Sequence, residues 1–151
     1  MKHSNPWSVW TRYSVLPLIV ISFWSRALIG WWCLVPGIGS ILWMFFNPVF
    51  FNKPKSTKNW ASKSVLGERV YRNRDNVEIP DIHKTPLYNI LNTISFIGMV
   101  LSLWAIVYYS VWAAILGIAL AYLGKSWYLD RMVWLYETMK DKDEKYRKWE
   151  Y

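Results

Sequence analysis

The run TPLYNILNTISFIGMVLSLWAIVYYSVWAAILGIALAYLG, from Thr85 to Gly124, is forty residues without a charged side chain. A helix rises about 1.5 Å per residue, so crossing ~30 Å of hydrocarbon takes about 20 residues. The run is twice that length. Two helices joined by a tight turn at Tyr108, Tyr109 and Ser110 fit it, whereas a single helix of ~60 Å overshoots the bilayer. A second forty-residue run, Tyr13 to Asn52, contains one charge, Arg26. Ser25, Arg26 and Gly30 mark its turn, flanked by Trp24, Trp31 and Trp32, whose indole rings favour the headgroup level. The expected fold is all-α and integral to the membrane, with four transmembrane helices arranged as two tight hairpins. The spans are placed at 9–25, 31–51, 86–107 and 111–129. A cytoplasmic segment, 52–85, and a C-terminal helix extension, 130–151, complete a single membrane domain.

Composition agrees with this reading. Of 151 residues 54% are apolar, 12 are Trp, and apart from Arg26 charged residues are confined to the ends and the middle segment. That distribution excludes a soluble enzyme, a disulfide-stapled secreted domain and a disordered chain. Cys33 is the one cysteine, so an intramolecular disulfide or thiol pair is excluded, and it reads as a small buried apolar residue. His3 and His83 both fall outside the spans, which excludes haem held between two histidines; no cofactor and no metal are expected.

Orientation follows from the basic residues. In the four-span arrangement 17 of the 18 lie on one side and only Arg26 on the other. The positive-inside rule puts both termini and the middle segment in the cytoplasm of an inner-membrane protein. Lys2 and Arg12 precede an apolar run as in a secretory leader, but no small-x-small cleavage site follows, so the first span is read as retained. The net charge of +8 is assigned to attraction for anionic lipid headgroups rather than to nucleic acid.

Within lipid, helices associate through close backbone approach and polar contacts. Ala113, Gly117 and Ala121 form a ridge of small residues on the fourth span. Ser95, Gly98, Ser102 and Ala105 form another on the third, and the two are expected to meet. Cys33, Gly37 and Ser40 make a shorter face on the second span, where Pro36 is expected to kink the helix, as Pro17 is in the first. Asn47-Pro48 reads as a helix stop. No Asp, Glu, Lys or His lies at hydrocarbon depth, which argues against an ion-coupled transporter.

In the middle segment a helix is expected from Asn59 to Arg74, capped by Thr57 or Asn59, weakened by Gly67 and enclosed by protein rather than floating. In the last helix Tyr128, Met132, Leu135, Met139, Tyr146 and Trp149 form a heptad stripe that packs on the middle segment or on a second copy. Asp141–Lys145, Asp143–Arg147 and Glu144–Lys148 are spaced as acid-before-base pairs.

The candidate polar surface cluster is Arg12, Glu68, Arg69, His83, Asp130 and Arg131, near the inner membrane surface. Such groups suit inter-segment ion pairing, or a lipid headgroup or polar substrate. Catalytic residues are not assigned: a Ser-His-Asp set and a phosphate-binding glycine loop are both missing, and Gly-Ile-Gly at 37–39 lies inside a span.

The opening His3, Asn5, Pro6, Trp7, Ser8, Trp10, Thr11 and Arg12, with FNP at 46–48 and NWASKSVLGERV at 59–70, resembles a family of small uncharacterised prokaryotic integral-membrane proteins. The likeness covers roughly the first two thirds of the chain and implies no activity. The stretch ERVYRNRDNVE at 68–78 is locally similar to the microsomal glutathione transferase and leukotriene synthase superfamily, also four-span proteins. That likeness implies Arg69, Arg72, Asn76 and Glu78 as candidates near glutathione, although in that superfamily the motif belongs to the second span and here it follows it. The expected role is that of a non-catalytic accessory subunit or small homo-oligomer acting through helix contacts, with a membrane protein partner or a second copy. The alternatives are a membrane enzyme for a lipid or lipophilic substrate and an uncoupled channel at an oligomer centre.

Overall fold

The computed structural model describes residues 4–151; Lys2 and His3 lie outside them. Among the described residues every regular element is helical. Three stretches are long and apolar enough to cross a membrane: Pro6–Phe50, Asp81–Tyr108 and Val111–Lys142.

The first stretch is not one rod. Helix α1 (Pro6–Tyr13) starts on Asn5, whose side chain accepts from the Trp7 amide, and α2 (Val15–Trp24) follows after a break at Ser14. Pro17 explains the break: it has no N–H to give the Tyr13 carbonyl one turn back. The freed carbonyl accepts instead from the Tyr122 hydroxyl. Beyond a single turn, α3 (Arg26–Ile29), the chain enters a 3-10 turn over Gly30–Cys33. Gly30 has φ +57° and ψ −135°, a conformation that strains any residue with a Cβ. Helix α4 (Leu34–Phe50) then packs against α2, so closely that a Cβ on Gly37 would sit 3.0 Å from the Phe23 ring. Pro36 falls in the first turn of α4, where its missing N–H breaks no helical bond. Pro48 is the proline inside α4, and the helix continues through it to Phe50, so Asn47-Pro48 does not stop it.

Helix α5 (Trp60–Arg72) is capped by Asn59, whose side chain accepts from the Ser62 amide at 2.8 Å. After a 3-10 turn at Asp81–His83 come α6 (Leu87–Tyr108) and α7 (Val111–Lys142). Their link is two residues: Tyr109 in the left-handed region at φ 53°, then Ser110, which caps α7 at Ala113. Helix α7 ends at Lys142, where Asp143 turns extended and its carboxylate accepts from the Lys145 amide at 2.8 Å. A further turn, α8 (Glu144–Arg147), folds back along α7, and the buried Tyr136 hydroxyl donates to the Tyr146 carbonyl at 3.0 Å. The heptad stripe is therefore not one continuous helix to Trp149. Of the three anticipated acid–base pairs Glu144–Lys148 forms, at 3.3 Å, between exposed side chains.

Apolar burial is concentrated away from the long apolar runs. The larger core joins α5, the start of α6, the second half of α7 and the tail through Leu66, Val70, Tyr88, Leu91, Met132, Leu135, Tyr136 and Tyr146. A smaller one, Val20, Ala105, Ile106 and Ala114, sits among α2, α6 and α7. Elsewhere the long helices leave large apolar side chains uncovered, among them Phe45, Val49, Leu103 and Trp112.

Gly67, expected to weaken α5, marks the point where α5 crosses α7: a Cβ there would lie 1.9 Å from the Met132 carbonyl oxygen. The clash involves backbone, so the helices must separate to relieve it. Gly67→Ala is expected to destabilise by about 1–3 kcal/mol, as overpacking does. Gly39→Ala, which meets nothing within 4 Å, is expected to stabilise by up to about 1 kcal/mol through helix propensity. Thermal unfolding in detergent, followed by circular dichroism, separates the two, and equal effects would contradict the crossing.

Candidate functional site

The small residues of α6 and α7 face one another. A Cβ on Gly98 would lie 2.3 Å from the Ala121 amide nitrogen and 2.6 Å from the Gly117 carbonyl oxygen. One on Gly117 would meet Ser102 Oγ at 2.6 Å, and one on Gly124 would meet the Ser95 amide nitrogen at 2.7 Å. Ser95 donates across the interface to the Ala121 carbonyl at 3.1 Å, while Ser102 turns back to Gly98 of its own helix at 2.9 Å. The ridge on α7 runs Ala114, Gly117, Ala121, Gly124, with Ala114 buried and Ala113 only partly so. Spacing by fours chose Ala113, whereas an alternation of three and four through Gly117 and Ala121 finds Ala114 and Gly124.

The opposite ends of this helix pair are treated differently. At the α6–α7 turn the last carbonyls of α6 have no helical donors. Arg26 supplies them: its guanidinium donates to the carbonyls of Ile106 and Val107 at 2.9 Å each and to the Tyr109 hydroxyl at 2.6 Å. Trp24 Nε1 adds a bond to the Ala105 carbonyl at 3.1 Å. A cation at a helix C-terminus is also favoured by the helix dipole. The lone charge of the first apolar run thus ties that run to the second.

At the other end the six residues of the anticipated polar cluster do not form one site. Glu68 pairs with Lys125 at 2.7 Å, with Arg12 in electrostatic reach and itself donating to the Ser8 carbonyl at 3.0 Å. Asp130 pairs with its neighbour Arg131 at 2.9 Å and accepts from Trp60 Nε1 at 3.4 Å. His83, 1% exposed, has Nδ1 3.0 Å from the Tyr88 hydroxyl, Nε2 3.2 Å from Thr138 Oγ1 and its ring against Trp134, over which Arg131 also lies. Arg69 stands apart, stacked on Trp149 at 4.8 Å.

Two polar groups carry more of the structure than their sequence context suggests. Asn47, fully buried, joins α4 to α1. Its neighbours are all satisfied when Nδ2 donates to Ser8 Oγ at 2.6 Å and the Ser8 carbonyl at 3.0 Å. Oδ1 then accepts from Trp43 Nε1 at 3.1 Å and Thr11 Oγ1 at 2.7 Å. The other is an alternating network of four charges. Lys63 of α5 pairs with Glu137 and, at 3.2 Å, with Glu150, while Lys140 pairs with Glu137 at 2.6 Å and Glu150 at 2.7 Å. It fastens α5 and the tail to α7. Lys140 and Glu137 are three apart on one helix, but Lys63 and Glu150 come from distant parts of the chain, and no local pattern links them.

A cleft of about 830 Å³ opens between the end of α5, the 73–86 link and the start of α6. Arg74 and Lys84 face it with Asp75 and Glu78, and His83 and Asn89 line its wall. It presents hydrogen-bonding groups and charges of both signs. Both His83 ring nitrogens already have partners, and Lys84 is paired with Asp81 at 2.7 Å. Of the four residues suggested by the glutathione transferase likeness, Asn76 and Glu78 line this cleft, whereas Arg69 and Arg72 line a different one. Among the described residues no group of three or more His, Cys, Asp or Glu is placed to hold a metal ion.

An all-helical chain with membrane-length apolar stretches and a polar helical layer packed at one end is thereby defined. Residues 1–148 match the model of a family of unknown function (DUF6653), and the chain belongs to that family. No curated protein and no solved structure matches it.

The four-charge network makes tail docking acid-sensitive. The hydrogen bond from Lys140 holds the Glu150 carboxyl below the usual carboxylate range, with Lys63 adding to it against the cost of burial. A depressed carboxylate pKa contributes stability above the unfolded value, and that stability is lost as pH falls through the folded value. The unfolding midpoint is expected to drop as pH is lowered through and below the ordinary carboxylate range. Glu150→Gln should start lower at neutral pH and fall less, and a variant tracking the wild type throughout would contradict the network's role.

Proposed function

We propose that the protein is a four-span inner-membrane protein, both termini cytoplasmic, that acts without catalysis as an accessory subunit or small homo-oligomer through helix contacts. One observation carries this reading. His83, Glu68 and Lys125 are engaged in holding helices together, while α4 turns a broad apolar face outward.

The crossing number rests on the first apolar stretch. Its 45 residues would span roughly 68 Å as one helix, more than twice a bilayer core. The reversal at Gly30 and the packing of α4 on α2 favour two crossings. With four crossings, Arg12, Lys53, Lys63, Lys125 and Lys140 share one side, as the positive-inside rule prefers. That basic end would draw anionic lipid headgroups.

The ridge on α6 and α7 is consumed within the chain, so a second copy or a partner has to use another surface. Ile38, Leu42, Phe45, Phe46 and Val49 on α4 supply one, all at least half or nearly half exposed. A membrane enzyme acting on a lipid or lipophilic substrate is the second reading, favoured by the cleft of about 830 Å³.

Native mass spectrometry of protein extracted gently with its lipids distinguishes them. A homo-oligomer or a stoichiometric protein partner is expected, weakened in a Phe45→Ala, Phe46→Ala double variant. A monomer would overturn the assembly reading, and one retaining a lipophilic molecule that is lost on Asn76→Ala, in that cleft, would favour the enzyme.

A further inference from the structure

A second cavity, about 450 Å³, lies between the last turn of α5 and the returning tail. Arg69, Arg72 and Asn73 come from α5 and its cap; Lys145, Tyr146 and Trp149 come from the tail. Its charge is one-sided, with three cations and no carboxylate in the wall. Nearby acids have partners of their own: Glu68 pairs with Lys125 at 2.7 Å, Glu144 with Lys148 at 3.3 Å and Glu150 with Lys140 at 2.7 Å, and the Asp143 carboxylate accepts from the Lys145 backbone amide at 2.8 Å. Among the described residues none of the three cations forms an ion pair.

Two of the cations are held in a way that leaves their donors available. The Arg69 guanidinium lies 4.8 Å from the Trp149 ring centroid and the Lys145 ammonium 5.7 Å from that of Tyr146. A ring face attracts a cation without taking up its N–H groups. The dipole of α5 partly compensates Arg69 and Arg72 in its last turn, but Lys145 belongs to another element and gains nothing from it. Guanidinium forks match the paired oxygens of a phosphoryl group, and the volume suits a small phosphorylated molecule or a lipid headgroup.

We propose that this cavity binds a phosphoryl anion between Arg72 and Arg69 of α5 and Lys145 of the tail, bridging the two elements. The ligand joins the four-charge network in keeping the tail docked. The site does not depend on how many times the chain crosses the membrane.

The test is calorimetric titration of the full chain in phosphatidylcholine nanodiscs with inorganic pyrophosphate. Saturable binding that weakens with salt is expected, reduced at least tenfold in Arg72→Gln, Lys145→Gln, two exposed positions. Arg74→Gln, in the neighbouring mixed-charge cleft, should leave binding unchanged. Adding phosphatidic acid to the nanodisc identifies the source. A lower apparent pyrophosphate affinity marks a lipid headgroup as ligand, and an unchanged one marks a soluble phosphate. No binding by the wild type, or equal binding by the double variant, overturns the site.

Discussion

Everything in this fold is built on the close approach of α6 and α7 through Gly98, Ser102, Gly117, Ala121 and Gly124. In lipid, an apolar side chain gains nothing by leaving hydrocarbon for protein, so contact must come from backbone approach and dispersion. Larger side chains along this seam would hold the helices apart. Farther along the same two helices the rule changes. Past Leu91 and Tyr128 the seam fills with Tyr, Leu and Met, and α5 and the tail close over it. That is how a core is made in water, where burying a large apolar side chain contributes roughly 1.5–3 kcal/mol. One helix pair thus carries two kinds of packing end to end.

The first apolar stretch is attached to this pair by hydrogen bonds from groups that would otherwise be unsatisfied. Pro17 frees the Tyr13 carbonyl and Tyr122 takes it up. The end of α6 leaves the Ile106 and Val107 carbonyls free and Arg26 takes those, while Trp24 adds a bond to the Ala105 carbonyl, which the Ser110 amide already reaches. An unsatisfied backbone group in hydrocarbon costs several kcal/mol, so each of these bonds also fixes where α2 must lie. At the other end Asn47 does the same between α4 and α1. Helix α4 itself touches α1 and α2 and leaves the rest of its surface apolar and uncovered.

Much of the architecture is written in local patterns. The charge-free run places α6 and the start of α7, Tyr109 and Ser110 mark the turn between them, and the spacing of small residues picks out Gly98, Ser102, Gly117 and Ala121 at their contact. What spacing does not reveal is any feature that needs two distant segments at once. Gly67 looks like a weak point in α5 until Met132 is placed against it. Asn47 looks like a helix stop until Ser8 and Trp43 surround it. Lys63 and Glu150 are unremarkable in their own neighbourhoods, and the anticipated polar cluster scatters because one-dimensional proximity to the membrane surface does not say which face of the helix pair a residue occupies. The tail is the instructive case. Its heptad spacing continues to Trp149, but Asp143 accepts from the Lys145 amide and turns the chain back, a local bond outweighing a periodic signal.

The arrangement of the first stretch as two crossings, with Arg26 at one surface and the basic segments at the other, is tested most directly by cysteine accessibility in intact cells. In a Cys33→Ala background, Leu28→Cys at the exposed turn should react with a membrane-impermeant maleimide from outside. Lys55→Cys, after α4, should react only once the membrane is opened. Labelling of both positions from the same side would contradict the four-span account.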